Sequence, residues 1–382
     1  MSRRVAPSSP STACGNSISP RYSAEMRTLI RPTAFVDSPF GHDGKVARLA
    51  GGMSWFAAAE LLRIEDHERV SAELVPVEGI ENRFDEDMAA QWQALTSARP
   101  PLQLGERTVR LDQPQVMGIV NATPDSFSDG GQFADSAAAA TAGADMAANG
   151  AAIVDVGGES TRPGATAVWG GDEIERVVPV IRQLAAGGAA VSADTRKADV
   201  MTAAIEAGAR MINDVSALTY DARSAEVVAA SGVPVVLMHH QGPPETMQEN
   251  PHYDDLLVEV YEWLEERIAA AVEAGIKRER ILIDPGFGFG KKLAHNLELM
   301  NGLALFHSLG CPVVIGASRK RTIGALSGEA PADRRVAGSV AFALKAVEQG
   351  VQIVRVHDIF ETVQALRVWR GMRDQALTPR VG

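Results

Sequence analysis

Apolar runs of strand length alternate with longer helix-like stretches from Gln115 towards the end of the chain. The runs are nearly continuous in Val, Ile and Ala, which is typical of strands buried on both faces of a parallel sheet. Stretches able to form helices follow them, for example at residues 172–184, 197–207, 253–274 and 336–349. We place the strands at residues 116–120, 152–156, 190–193, 211–215, 233–238, 281–283, 313–315 and 351–356.

This alternation predicts the fold class. Eight βα units in about 260 residues match an α/β fold of the (β/α)8 TIM-barrel type. An open doubly wound sheet is the structural alternative, but it would usually carry a GxGxxG turn after its first strand, and the sequence has none there. We assign the barrel to residues 102–374 and a C-terminal tail to residues 375–382.

The pattern ahead of the barrel is mixed, and we predict a small α+β extension over residues 27–101. Residues 54–62 and 87–97 predict short helices, and residues 70–77 alternate like a strand. Residues 102–111 carry Gly-Glu between two alternating runs, which predicts a hairpin. Residues 1–26 are rich in Ser and Pro and predict a disordered tail or a start codon assigned too early, with an Arg/Ser-rich targeting peptide as the alternative.

Composition narrows the class of protein. Among 382 residues, 46% are hydrophobic and 22% charged, with a net charge of −11. Cys14 and Cys311 lie far apart, which argues against a disulfide scaffold or a cysteine-built zinc site. There is neither a membrane-length apolar run nor a long basic block. We therefore expect a cytoplasmic protein with no membrane or nucleic-acid partner, in which an anionic ligand meets locally placed Arg and Lys.

Polar residues gather where the predicted strands end, which is where barrel enzymes hold their chemistry. Strands 8, 1 and 2 are neighbours in a closed barrel, and their exits form an arc rich in cations and amides that suits an anion. Strands 3, 4, 6 and 7 offer carboxylates, an amide and a lysine, which suit a flat heterocycle with N–H donors and ring acceptors. The first arc contains Arg355, His357, Asn121, Thr161 and Arg162; the second contains Asp194, Asn213, Asp284 and Lys320.

Two segments rich in Gly, Ser and Pro follow the first two strands, at residues 125–131 and 160–164. They are either plain surface loops or loops that close over the mouth and exclude water.

Eight ordered motifs at these exits carry a resemblance. Over about residues 102–374 the chain resembles the dihydropteroate synthase family. The motifs are MGIVNATPDSFSDGG (117–131), DVGGESTRPGA (155–165), SADTRK (192–197), INDVSAL (212–218), LMHHQGPPETMQENPHYDD (237–255), DPGFGFGKKLAHN (284–296), GASRK (316–320) and RVHD (355–358). The resemblance implies that 4-aminobenzoate is joined to 6-hydroxymethyl-7,8-dihydropterin diphosphate, with Mg²⁺, by a homodimer.

Matched position by position, the resemblance also implies residue roles. The pterin pocket corresponds to Asp194, Asn213, Asp284 and Lys320, with Met238 packing nearby. Arg355 would flank the ring and, with His357, Asn121, Thr161 and Arg162, hold the diphosphate. Asn121 corresponds to the Mg²⁺ contact. Pro163, Phe289, Ser318 and Lys320 correspond to the 4-aminobenzoate site, and Phe127, Asp129 and Arg162 to the closing loops. The reacting set is then Asp194, Asp284, Lys320, Arg355 and His357.

Two other functions share these features. A pterin-binding methyltransferase domain has the same barrel and pterin-reading positions, but the loop motifs with SRK and RVHD favour the synthase. A non-catalytic pterin-binding or regulatory protein would be expected to have damaged loop motifs, and these are intact. His240 stands where many members of the family carry methionine and receives no role. The resemblance does not explain the long N-terminal extension.

Overall fold

The computed structural model describes residues 26–123, 131–160, 167–242 and 246–378, with side chains from residue 136 onward in the second range. Ahead of the barrel lie a four-stranded antiparallel sheet, one helix and a hairpin. Their bounds are β1 (Arg27–Val36), β2 (Ala47–Arg48), β3 (Trp55–Glu65), β4 (Glu68–Pro76), α1 (Glu86–Thr96), β5 (Leu102–Leu104) and β6 (Arg107–Val109).

The prediction of a helix at residues 54–62 is wrong, because this segment lies within strand β3. Three consecutive alanines make it a good helix former locally. In the fold, β3 is the central strand, paired with β1 on one edge and with β4 on the other. Its Phe56 and Leu62 are fully buried. Pairing on both edges and burial therefore override the local propensity.

The barrel follows the hairpin. Its strands are β7 (Gln115–Asn121), β8 (Ile153–Gly157), β9 (Val191–Asp194), β10 (Met211–Asp214), β11 (Val235–Met238), β12 (Ile281–Asp284), β13 (Val314–Ile315) and β14 (Ile353–Val356). Its helices are α2 (Gly131–Ala148), α3 (Gly170–Ala186), α4 (Ala198–Ala207), α5 (Ser224–Ser231), α6 (Leu256–Glu273), α7 (Leu293–Gly302), α8 (Arg321–Leu326), α9 (Val336–Glu348) and α10 (Ile359–Ala376).

All eight barrel strands are parallel and hydrogen-bonded in the order β12-β11-β10-β9-β8-β7-β14-β13. A parallel bridge between Ile283 and Val313 joins the two ends of this series, so the sheet closes on itself. The predicted TIM barrel is confirmed, and β14, β7 and β8 are neighbours as the two-arc interpretation requires.

The hairpin β5–β6 closes the amino-terminal end of the barrel. Its side chains Leu102, Leu104 and Val109 are buried in one cluster with inward-facing residues at the bottom of the strands, including Met117 and Ile153. Because this end is filled with apolar side chains, the carboxyl ends of the strands form the end available for chemistry.

The N-terminal sheet packs against the barrel wall. Leu29, Leu62 and Ile64 belong to the same buried cluster as the barrel core. Polar contacts join the sheet to α6 and to the residue that precedes it. Arg27–Glu265 at 2.7 Å and Arg69–Asp255 at 2.8 Å are ion pairs, and His67 Nδ1 lies 2.7 Å from Glu262 Oε2. No helix within the described ranges has both the length and the apolar character needed to cross a membrane.

Candidate active site

An arginine from β14 joins two carboxylates at the open end of the barrel. Arg355 Nε lies 2.6 Å from Asp155 Oδ2, and its Nη2 lies 2.6 Å from Asp194 Oδ2. Asn213 Nδ2 donates to the same oxygen of Asp155 at 3.0 Å. Side chains from strands β8, β9, β10 and β14 thus form one hydrogen-bonded cluster around a guanidinium. The strands fix its geometry, because each residue lies in a strand of the closed sheet.

The carboxylates of this cluster are largely removed from water. Burial raises the pKa of Asp194 to about 7, and the nearby Asp155 raises it further while Arg355 opposes the shift. Burial also raises the pKa of Asp284, against Lys320 and the backbone N–H of Gly286, which donates to Asp284 Oδ1 at 2.7 Å. Buried carboxylates are costly without donors. A ligand that presents N–H groups would therefore be stabilised here.

The turn after β12 brings an aromatic ring beneath a lysine. Lys320 Nζ lies 4.4 Å from the centre of the Phe289 ring and donates to the backbone carbonyl of Phe287. Burial lowers the pKa of Lys320 to about 7; Arg355 lowers it further, and Asp284 opposes the shift. At neutral pH this lysine can therefore both donate and give up a proton. Asp284 acts on it electrostatically, and the Phe289 ring lies against it.

A serine and a histidine connect the exits of β13 and β14. Ser318 Oγ lies 3.1 Å from His357 Nδ1 and accepts the backbone N–H of His357 at 3.2 Å. The family resemblance implies that Ser318 belongs to the 4-aminobenzoate site and His357 to the diphosphate site. Since the two side chains are in contact, those two predicted subsites adjoin each other.

The remaining assigned positions fall into two groups. Met238 is buried at the end of β11 and lies beside Asp284 in the register, while Asn121 is half-buried at the end of β7 beside Gly157. The other group lies outside the described residues and comprises Phe127, Asp129, Thr161, Arg162 and Pro163.

Sequence reasoning missed Asp155. This residue is fully buried in the middle of β8, and one of its oxygens accepts from both Arg355 and Asn213. A signal was available, because Asp155 is the single ionisable residue within an otherwise apolar strand. An isolated carboxylate in such a run has to meet a donor inside the barrel.

Two cationic side chains at the exit of β9 form ion pairs outside this cluster. Arg196 Nε lies 3.0 Å from Glu159, and Lys197 pairs with Glu159 at 3.1 Å and with the buried Glu173. Glu159 also accepts the backbone N–H of Val168 at 2.8 Å. These contacts connect the exit of β9 with Glu159 and, through it, with Val168. His240, which had no assigned role, contacts the carbonyl of Gly242 at 3.0 Å and packs edge-on against Trp263.

Comparison with known proteins adds independent evidence. The model of the pterin binding enzyme family matches residues 117–357. The dihydropteroate synthase of Neisseria meningitidis serogroup B is 48% identical over 280 residues, which cover 72% of this chain and 98% of that protein. The Escherichia coli K12 dihydropteroate synthase is also 48% identical, over 260 residues that cover 68% of this chain and 91% of that protein.

Solved structures agree with the sequence comparison. The Xanthomonas albilineans dihydropteroate synthase with 4-aminobenzoic acid superimposes with a TM-score of 0.69 at 50% identity, covering 74% of this chain and 100% of that one. The same enzyme in complex with 7,8-dihydropteroate gives a TM-score of 0.66 at 48% identity, covering 73% and 100%. The N-terminal sheet lies ahead of the family match, which begins at residue 117. The chain belongs to the dihydropteroate synthase family of pterin binding enzymes.

Proposed function

We propose that the cluster at the open end of the barrel is where this chain carries out the dihydropteroate synthase reaction. The enzyme joins 6-hydroxymethyl-7,8-dihydropterin diphosphate to 4-aminobenzoate, giving 7,8-dihydropteroate and diphosphate for tetrahydrofolate synthesis. The observation that carries the site assignment is the buried set of carboxylates and an amide from separate strands, held around Arg355. The named relatives are synthases, which favours this function over the methyltransferase alternative.

The polar edge of the pterin ring forms hydrogen bonds with Asp194, Asn213 and Asp284. A carboxylate accepts two parallel N–H bonds, and an Asn amide both donates and accepts, which matches a ring carrying amino, N–H and carbonyl groups. Lys320 donates to a ring carbonyl or nitrogen, and Met238 packs beside the ring. Support comes from the burial of Asn213 and Asp284, at 6% exposure each, because a dry pocket strengthens such hydrogen bonds.

The diphosphate is bound by Arg355, His357 and Asn121. Thr161 and Arg162, from the segment that follows β8, complete this set. Nε and Nη2 of Arg355 face Asp155 and Asp194, whereas no described residue accepts a hydrogen bond from its Nη1. A guanidinium has enough donors to hold carboxylates on one side and phosphate oxygens on the other. Arg355 therefore links the pterin pocket to the leaving group.

Mg²⁺ is the proposed cofactor, with Asn121 as its protein contact. Among the described residues, no group of three or more acidic, His or Cys side chains forms a metal cage. Mg²⁺ commonly keeps several waters and binds substrate phosphates rather than an all-protein cage. An amide oxygen beside the diphosphate site therefore fits such an ion. When bound, it would neutralise charge on the diphosphate oxygens.

The reaction replaces a C–O bond with a C–N bond at the CH₂ on the pterin. Arg355 and His357 stabilise the charge that develops on the departing diphosphate. The electron-rich ring stabilises the cationic CH₂, and Asp194 and Asp284 favour that positive charge. The arylamine then attacks through its nitrogen lone pair and loses one proton. Substitution is loose and dissociative, so holding the substrates and excluding water matter more than activating a nucleophile.

The 4-aminobenzoate lies over the β12 turn, against Phe289 and Pro163, with Ser318 and Lys320 near its carboxylate. The contact between Ser318 and His357 supports this arrangement, because it puts the arylamine site next to the leaving-group site. Phe127 and Asp129, together with Arg162, belong to the segments proposed to close over the mouth. Cytoplasmic localisation stays a prediction.

The proposed assembly is a homodimer. Phe360, Val368 and Met372 of α10 are about 60% exposed and lie at spacings of eight and four residues, which places them on one face of the helix. Helix α9, which is rich in Ala, lies beside α10 in the barrel wall. The exposed face of α10 offers an apolar surface for a second copy.

Asp284→Ala tests the pterin assignment. The variant loses the carboxylate that accepts the ring N–H groups, so pterin binding measured by calorimetry should be abolished. Diphosphate release in the presence of 4-aminobenzoate should be lost in parallel. Asp374→Ala, at an exposed position on α10, is the matched control and should behave like the wild type. Near-normal pterin binding by Asp284→Ala would rule out the assignment.

A further inference from the structure

A buried lysine behind the β12 turn has no part in the roles described so far. Lys291 is 3% exposed, and its Nζ lies 2.8 Å from His239 Nδ1, 3.1 Å from the carbonyl of Gly286 and 3.2 Å from that of Phe289. Burial lowers the pKa of Lys291 well below its ordinary value, and the amine offers two N–H donors when neutral and three when protonated to the three groups around it. The side chain therefore ties together two places on the turn and the exit of β11.

His239 is fixed as a neutral acceptor. Burial lowers its pKa well below the usual range, and the neighbouring Lys291 lowers it further. The ring packs edge-on against Trp263, with centroids 4.9 Å apart. Its backbone N–H donates to the carbonyl of Asp284 at 2.9 Å. An unprotonated Nδ1 is thus presented to Lys291 from a rigid strand end.

The turn held by Lys291 has little conformational preference of its own. Gly286, Gly288 and Gly290 have φ values of 73°, 83° and 61°. Glycine enters this region freely and loses much entropy when it is fixed there. A Cβ on Gly286 would lie 1.8 Å from the carbonyl oxygen of His239, so the turn also packs directly on the β11 exit. The conformation of the turn therefore depends on contacts with residues outside it.

This turn carries the wall of the proposed arylamine site. It provides the Phe287 carbonyl to which Lys320 donates and the Phe289 ring beneath Lys320 Nζ. A second anchor is Asn296 of α7, whose Oδ1 accepts the N–H of Gly288 at 2.6 Å. Asn296 holds the middle of the turn, whereas Lys291 holds its two flanks.

We propose that Lys291 is a positioning residue for the arylamine half of the reaction. Its hydrogen bonds to His239 and to the turn set the relative placement of Phe289 and Lys320, and hence the fit of 4-aminobenzoate. This inference rests on the proposed function, which places the arylamine against these two side chains. Lys291 itself does not touch substrate.

Lys291→Met tests the proposal, since methionine keeps much of the apolar stem and removes the three hydrogen bonds. A wall displaced by up to about 1 Å should lower kcat/KM for 4-aminobenzoate by about 10- to 100-fold. The loss should lie mainly in the KM for 4-aminobenzoate, with the KM for the pterin diphosphate changed less than about threefold. A general loss of structure would affect both substrates. Steady-state kinetics with each substrate varied in turn gives this comparison.

Lys292→Met is the matched control, because Lys292 is the exposed neighbour. If the wild type and this control make no dihydropteroate, the proposed function fails. If both are active and Lys291→Met matches them, or raises both KM values equally, the positioning role is overturned.

His239 supplies a second test if Lys291→Met does not fold. His239→Leu removes one acceptor and should raise the KM for 4-aminobenzoate selectively. His239→Asn keeps an acceptor near the position of Nδ1 and should restore it at least in part. Equal kinetics for the Leu and Asn variants would contradict the proposal.

Discussion

At the residue scale, burial brings two oppositely charged groups towards the same pKa. Asp194 is raised to about 7 and Lys320 is lowered to about 7, in each case mainly because water is excluded. Both lie within the reach of Arg355, which favours the ionised carboxylate and disfavours the protonated lysine. Strongly shifted groups in a polar cluster are a physical mark of an active site.

This predicts a pH dependence of pterin binding. Below about pH 7, Asp194 is increasingly protonated and no longer accepts two N–H bonds, so affinity should rise between about pH 6 and about pH 8. Lys320 loses its charge over the same range but keeps N–H donors for the ring, so the carboxylate sets the direction. Calorimetry with 6-hydroxymethyl-7,8-dihydropterin, which lacks the titrating diphosphate, would measure it. Asp194→Asn should bind more weakly and flatten the profile. An equally steep profile in that variant would place the titration elsewhere, for example on Asp284.

The stability of the unliganded protein should change in the opposite direction. The folded state raises the pKa of Asp194 above its ordinary 3.8, so it binds the proton more tightly than the unfolded chain. The contribution of Asp194 to the free energy of unfolding is fully present below pH 3.8, the pKa in the unfolded chain. It is lost as the pH rises through about 7, the pKa in the folded state. If Asp194 binds the pterin as proposed, it should favour folding when protonated and pterin binding when ionised.

Residue identities at the strand exits could be predicted from the sequence, but their partners could not. Asp194, Asn213 and Asp284 follow apolar runs, which is a local signal. The ion pair of Arg355 with Asp155 spans 200 residues and that with Asp194 spans 161. Only the ring of strands sets which of these side chains meet.

At the element scale, the strands buried on both faces were the easiest to locate. Strand β12 was predicted at residues 281–283 and spans Ile281–Asp284. The same reasoning failed at β3, whose alanines carry a helical signal that pairing with β1 and β4 overrides. Strand formation there depends on neighbours in the N-terminal sheet, and a window of a few residues does not contain them.

The N-terminal sheet should contribute to the stability of the whole chain through β3. Leu62 is fully buried in the same cluster as the barrel core, so Leu62→Ala should lower the free energy of unfolding by about 2–5 kcal/mol. Leu74→Ala, at a position 65% exposed on the adjacent strand, should change it by less than about 0.5 kcal/mol. Urea denaturation of the full chain measures both. Equal effects would mean that the sheet does not share the barrel core.

At the scale of the whole molecule, the proposed homodimer depends on the exposed face of α10. The exposed apolar side chains of α10 would be buried in the proposed homodimer. Val368→Glu puts a charge in the middle of that surface and should convert dimer to monomer in sedimentation experiments. Val272→Glu, on the exposed side of α6, is the matched control and should leave the assembly unchanged. A Val368→Glu variant that stays dimeric would move the interface elsewhere.

From the sequence alone came the barrel, the end at which its polar residues gather and most of the residues that form the cluster there. These follow from local patterns, because apolar runs mark buried strands and the polar residues come directly after them. The folded structure was needed to see that Arg355 joins Asp155 and Asp194, that Ser318 contacts His357 and that Lys291 bonds to His239 and the β12 turn. Such contacts join residues far apart in the chain, and closure of the sheet brings them within hydrogen-bonding distance.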